Sequence, residues 1–227
     1  MGAIHFSIDR ELLAFFKHAL PLERFVETGT FRGDSLETAR SLFRECHSVE
    51  MSPALHAAAR TRFATEPGVQ LHFGDSPGFL RAHHAEFSGT PTLFWLDAHW
   101  CVAGDTAGEQ SQSPLLAELR ALQPLHPQSV VLIDDARLYL AAPPKPHRLA
   151  DWPDLADVLT AWSGPHRLMV LNDVLIFYPA VLRERLAAHA HACGVDWLTL
   201  ARHAQSYARR KKSRFCWPWQ QSGEAAG

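Results

Sequence analysis

The sequence predicts an α/β fold: a mostly parallel seven-stranded sheet with helices on both faces and an antiparallel hairpin at its end. Two observations predict it. Short β-rich apolar runs alternate with amphipathic segments from about residue 24 to about residue 180, the pattern of βαβ units. The last two runs are separated only by Asn172-Asp173, too short for a helical crossover, so they must pair antiparallel.

The strands predicted in order are Arg24 to Thr28, His47 to Met51, Val69 to Gly74, Thr92 to Asp97, Val130 to Asp134, Arg167 to Leu171 and Val174 to Tyr178. Between them, Ser35 to Cys46, Pro53 to Phe63 and Leu155 to Trp162 read as helices, and Pro179 to Ala192 as a closing helix. An ordinary dinucleotide-binding sheet would place a helix before its last strand, so the hairpin argues against that fold. Two connections, His99 to Ser113 and Ala136 to Ala150, are too long for routine βα loops and show no helical pattern. Both follow strands at the carboxyl edge of the sheet, where open α/β folds bind ligands, so they are expected to wall the site.

With 227 residues, 47% hydrophobic and 20% charged, with 7 Trp and 13 Phe, the chain can bury one good-sized core. Disorder, collagen-like repeats and a disulfide mini-scaffold are excluded. We expect one domain over 1–205, opened by a helical segment at 1–23, and a basic tail over 206–227 that carries Arg209-Arg210-Lys211-Lys212. That basic run reads as a solvated terminus or as an anionic contact. Lys and Arg number 22 against 24 acids, so there is no global basic field and no nucleic-acid partner is expected. Cys46, Cys101, Cys193 and Cys216 form no CxxC pair, which fits reduced thiols in a cytoplasmic protein. The N-terminal residues lack a signal-peptide pattern and the longest apolar run is too short for a bilayer, so no membrane association is expected. Leu12-Leu13-Ala14-Phe15-Phe16 serves either as a homodimer contact or as packing on its own domain.

Chemistry gathers at the predicted strand ends. Glu27-Thr28-Gly29-Thr30-Phe31-Arg32-Gly33 turns the first strand into the first helix, and its spacing is acidic-x-Gly-x-x-x-Gly. Such a turn either lets a ligand approach the backbone or is a plain tight turn with a solvated Glu27. Glu50 ends the second strand, where a carboxylate can accept both hydroxyls of a ribose or lie exposed. Gly74-Asp75-Ser76 ends the third, and its polar pair meets an adenine edge or caps a helix. Asp97 ends the fourth strand, and Asp134-Asp135 ends the fifth. Three converging carboxylates repel one another unless a cation neutralises them, and oxygen ligands suit Mg²⁺ or another hard divalent ion. The alternative is three separate strand-end caps. His99 is a further titratable group beside Asp97.

Taken together, Glu27-x-Gly29-x-x-x-Gly33, Glu50, Gly74-Asp75, Asp97 and the terminal hairpin resemble a class I S-adenosylmethionine-dependent methyltransferase, over roughly residues 24 to 179. The resemblance implies a Rossmann-like sheet of order 3-2-1-4-5-7-6 with its seventh strand antiparallel. It also implies S-adenosylmethionine (SAM) as cofactor, its methionine part held by Glu27 with the Gly29, Thr30 and Gly33 turn. Glu50 would take the ribose, Asp75 and Ser76 the adenine, and Asp97 would face the cofactor. Asp97, Asp134 and Asp135 match the metal ligands of O-methyltransferases that act on catechols, caffeoyl thioesters and macrolide sugars. Such a cation lowers the pKa of a substrate hydroxyl and aligns its oxygen for in-line transfer.

Catechol and caffeoyl enzymes carry a lysine three residues after the strand-four aspartate, where this sequence has Trp100. His99 then becomes the candidate general base, with Asp97 beside it, and a sugar or other natural-product hydroxyl is the expected acceptor. Asp105, Thr106 and Glu109 could bind a polar substrate, and Trp100 and Trp152 could offer stacking faces, whereas Trp162 reads as core. The same residues admit a metal-independent methyltransferase with Asp134 and Asp135 as substrate acceptors. They also admit a metallohydrolase built on Asp97, His99, Asp134 and Asp135, or a non-catalytic nucleoside-binding protein.

Overall fold

The computed structural model describes residues 7–100, 111–196 and 199. Seven strands form one sheet: β1 (Arg24–Thr28), β2 (Glu45–Glu50), β3 (Val69–Phe73), β4 (Thr92–Leu96), β5 (Val130–Ile133), β6 (Arg167–Leu171) and β7 (Val174–Tyr178). Their order is β3-β2-β1-β4-β5-β7-β6. The first five pair in parallel, and β7 runs antiparallel between β5 and β6. The predicted sheet, with its order and its hairpin, is the one observed. In the hairpin turn Asn172 and Asp173 both take positive φ, 48° and 69°, the geometry that two-residue hairpin loops require.

β1, β4, β5 and β7 are buried along their whole length, which is why they read as unbroken apolar runs. Two cores cover the two faces. On one face α1 (Arg10–Ala19), α2 (Asp34–Arg40), α3 (Pro53–Arg62) and α9 (Arg183–Cys193) bury Leu13, Leu36, Ala59 and Leu186 against Phe25, Trp95 and Ile176. On the other, α4 (Ser76–Ala82), α5 (His84–Ser88), α6 (Leu115–Ala121), α7 (Arg137–Leu140) and α8 (Leu155–Ala161) bury Leu80, Phe87, Leu119, Leu138 and Val158 against Phe94, Val131 and Phe177. Leu12, Leu13 and Phe16 of α1 pack into this chain's own core, and the Phe15 ring stacks on His189 of α9 at 4.5 Å.

Several boundaries differ from the prediction. The helix expected over Ser35 to Cys46 ends at Arg40, because Glu45 and Cys46 are needed to pair with Arg24 and Phe25. Gly74, Asp97 and Asp134 lie just past their strands, in the turns. The stretch after Ala136, expected to lack helix, holds α7 and a 3-10 turn at Leu149–Asp151. Burial of Leu138 and Tyr139 drives α7, a tertiary gain too short to appear as a period. Among the described residues, no helix is long and apolar enough to cross a membrane. The tail with Arg209 to Lys212, the loop residues Asp105, Thr106 and Glu109, and Cys101 and Cys216 lie outside the described residues.

Candidate active site at the carboxyl edge of the sheet

The turn after β1 is held from within. Glu27 is fully buried and accepts a 2.7 Å hydrogen bond from Ser48 Oγ, which lies 2.5 Å from Thr30 Oγ1. Burial pushes the Glu27 carboxyl well up, outweighing the Ser48 hydrogen bond. Its Oε2 is buried with no hydrogen-bond partner among the described residues. A solvated Glu27 is thereby ruled out. Gly29 has φ 84°, and a Cβ there would stand 2.5 Å from the carbonyl oxygen of Asp97. Gly33 has φ 79°, and its Cβ would stand 2.7 Å from the Phe63 ring. Both glycines are required by close packing of the protein on itself.

Glu50, 8% exposed, is likewise not a loose strand-end acid. Its Oε2 accepts from the Phe31 amide and its Oε1 from the Ser52 amide, each at 2.8 Å, so the carboxylate is fixed with lone pairs to spare. The neighbouring turn divides its roles. Asp75 caps α4 by accepting from the Gly78 amide at 2.8 Å, the second of its predicted readings. Ser76 is buried, and Gly74, at φ 149°, has open space where a Cβ would be. Met51 and Phe73, 52% and 60% exposed, leave apolar surface at the ends of β2 and β3 beside it.

The acids after β4 and β5 are brought to one edge, since the Asp97 amide bonds Thr28 O and the Asp134 amide bonds Leu96 O. Asp135 Oδ2 lies 2.9 Å from His99 Nε2, and its Oδ1 lies 2.6 Å from Arg137 Nη1. His99 Nδ1 faces Asp97 Oδ1 at 3.6 Å. Arg137 also pairs with the fully buried Asp173, which accepts the Arg137 amide at 2.8 Å. Burial works against charge throughout this cluster, and the partners decide each outcome. Asp134 rises to about 8 through burial and the charges of Asp97 and Asp135. Burial alone would raise Asp135, but the His99 hydrogen bond and charge together with Arg137 hold it down at about 2. Burial alone would lower His99, but Asp135 and Asp97 raise it. Burial also raises Asp97, against the pull of His99.

Several residues of the edge escape sequence reasoning. Glu118 is 2% exposed, and burial raises its pKa against hydrogen bonds from Ser76 and Thr28. Its signal is the spacing of Leu115, Glu118 and Leu119, which puts an acid on the buried face of α6. Gln112 ties the two long connections together: its Oε1 accepts from the Arg148 amide at 2.7 Å and from Trp152 Nε1 at 3.1 Å. Trp152 is therefore buried beneath His99, ring centroids 5.6 Å apart, rather than an open stacking face. Trp100 is half-buried with its ring 5.7 Å from His147, and Trp162 stacks on Phe177 at 4.2 Å in the core.

The two implied ligands fare differently in this frame. SAM fits: an orphaned carboxyl oxygen on Glu27, the fixed Glu50 carboxylate and the open face of Gly74 lie along neighbouring strand ends. A divalent ion on Asp97, Asp134 and Asp135 does not fit the edge as arranged, because both Asp135 oxygens are already engaged, one by the His99 ring and the other by the Arg137 guanidinium. Among the described residues, the three-residue group whose ligand atoms lie within 4.8 Å of one another is Glu45, His47 and Glu86. It lies away from this edge, where β2 begins, and Arg24 already pairs with both glutamates, at 2.9 and 3.2 Å.

No family model and no curated protein matches the sequence. Solved structures do. A putative caffeoyl-CoA O-methyltransferase from Staphylococcus aureus superposes with a TM-score of 0.52 at 14% identity, over 75% of this chain and 83% of that one. The chain has the class I methyltransferase fold. The O-methyltransferase TomG from Streptomyces achromogenes, solved with SAM, matches the fold with a TM-score of 0.51 at 16% identity, over 75% of this chain and 78% of its own. The order of the methyltransferase sheet sets Glu27, Glu50, Asp97 and Asp134 at its carboxyl edge.

Proposed function

We propose that this chain is a cytoplasmic SAM-dependent methyltransferase that acts on a hydroxyl group of a small molecule, a sugar or natural-product intermediate. The observation that carries the reading is the pairing of His99 with Asp135 at the same sheet edge as the fixed Glu50. In this reading Glu27 and the Gly29–Gly33 turn hold the methionine part, Glu50 the ribose, and Ser76 with the open side of Gly74 the adenine. Bound there, SAM supplies an electrophilic methyl group.

His99 supplies the base. Its Nε2–H donates to Asp135 Oδ2, which leaves Nδ1 of the neutral ring free to accept the proton of the acceptor hydroxyl. Asp135 fixes the tautomer and strengthens the base, as its raised pKa requires. Trp152 against one side of the ring and the Gln112 clamp on Trp152 hold His99 in place and keep water from it. Asp97, within 3.6 Å of Nδ1, is placed to hold the hydroxyl group before its proton leaves. No step of this chemistry passes through a metal.

The test is the thermal midpoint with and without S-adenosylhomocysteine, each with Mg²⁺ or chelator. Ligand at 100 times its Kd adds about 2.7 kcal/mol, roughly 5 to 11 °C for a chain of this size. A midpoint unmoved by the nucleoside overturns the proposal, and a shift from metal alone would favour a metallohydrolase.

A further inference from the structure

The carboxylate edge resembles a divalent-cation site in sequence and departs from one in structure, and the departure has a single focus. Arg137 stands two residues after Asp135, across Ala136, and its Nη1 reaches Asp135 Oδ1 at 2.6 Å while also pairing with Asp173. Asp173 sits in the β6–β7 turn, is fully buried, and accepts the Arg137 main-chain amide, so both ends of the arginine are anchored to one carboxylate. The Ala136 amide bonds Asp173 O at 2.8 Å, which locks the start of α7 to the same turn. Asp135 itself has φ 56°, a left-handed backbone that turns its side chain between His99 and Arg137.

We propose that Arg137, anchored by Asp173, is the resident cation of this edge and occupies the place a divalent ion would need, so that the site takes up such an ion only when Arg137 is removed. A planar guanidinium held by two carboxylates uses lone pairs that a metal would need, and its fixed positive charge repels an incoming dication. The cationic partner of Asp135 and Asp173 is thus supplied by the chain itself. The inference stands apart from the assignment of activity, because its probe is a metal ion alone.

The experiment titrates Mn²⁺ into the full chain and counts bound ion by the loss of its free electron paramagnetic signal. The wild type should bind no ion up to 1 mM, on the order of the weakest specific affinities. Arg137→Gln, which keeps the length but loses the charge, should bind Mn²⁺ at least tenfold more tightly, and adding Asp134→Asn to it should abolish the gain. Binding to the wild type that Asp134→Asn removes overturns the proposal. So does a folded Arg137→Gln chain that binds no better than the wild type. If the Gln variant does not fold by circular dichroism, the wild-type titration decides alone, and Arg137→Lys must remain as metal-free as the wild type.

Discussion

His99 Nε2 lies 2.9 Å from Asp135 Oδ2, joining turns 36 residues apart in the chain. The contact exists because β4 and β5 are neighbours and end in register, Leu96 opposite Ile133. It sets the tautomer of the ring and leaves the other nitrogen toward Asp97.

Removing either partner should separate binding from turnover. His99→Gln should lower turnover by about 10²–10⁴-fold, the range for a lost general base. Asp135→Asn should lower it in the same direction. In both variants the midpoint rise with S-adenosylhomocysteine should persist. Normal turnover by His99→Gln would end the assignment of the base.

Glu50→Gln tests the ribose contact. The neutral amide keeps one acceptor oxygen and so loses one of the two amide bonds, at a cost of about 1.5–3 kcal/mol for a bond to a charged group. The midpoint should fall, and the nucleoside should no longer raise it. Retention of a full ligand-dependent shift would show that the cofactor does not rest on Glu50.

Gly29→Ala should damage the fold before it touches chemistry. The new methyl would meet the Asp97 carbonyl oxygen at 2.5 Å with φ held at 84°. Strain and overpacking together should cost at least about 2 kcal/mol, lowering the midpoint by roughly 4 to 8 °C. A thermal melt that matches the wild type would contradict the close approach.

Stability should fall in mild acid through the histidine group under β2 and β3. His47 Nδ1 lies 3.3 Å from His72 Nε2, and the His83 ring is 4.8 Å from that of His72. Burial first, then the charges of His83 and His47, lower His72 to about 4. Its unfolded value is about 6.5, so below that pH the unfolded chain binds the proton first. This contribution is complete above about pH 6.5 and is lost as pH falls toward 4. Since His72 is partly exposed, the loss should be on the order of 1–2 kcal/mol. Denaturant melts at pH 7 and pH 5 measure it, and His72→Gln should flatten the difference.

The sheet was legible because its central strands are buried on both faces, so Phe25, Phe94, Val131 and Ile176 stand in unbroken apolar runs. The hairpin was legible from Asn172-Asp173, two residue types that tolerate positive φ. The end of α2 was not, because its limit comes from pairing of Glu45 and Cys46 with β1 rather than from a local stop signal. Asp75 shows why a motif leaves its alternatives open: the same Gly-Asp-Ser can cap a helix or meet a ligand, and here its Oδ1 caps α4 through the Gly78 amide.

The sequence by itself determined the order of strands and helices, the antiparallel close of the sheet, and which acids reach its carboxyl edge. These follow from periodicity, from loop length and from turn chemistry, all of which act over a few residues. Tertiary structure decided what those acids do there. Glu27 became a buried carboxyl with an orphaned oxygen, Glu50 a carboxylate fixed by two amides, and Asp135 the shared partner of His99 and Arg137. Burial and charge pairing depend on groups brought together from distant parts of the chain, such as Asp173 against Arg137, and no local pattern encodes them.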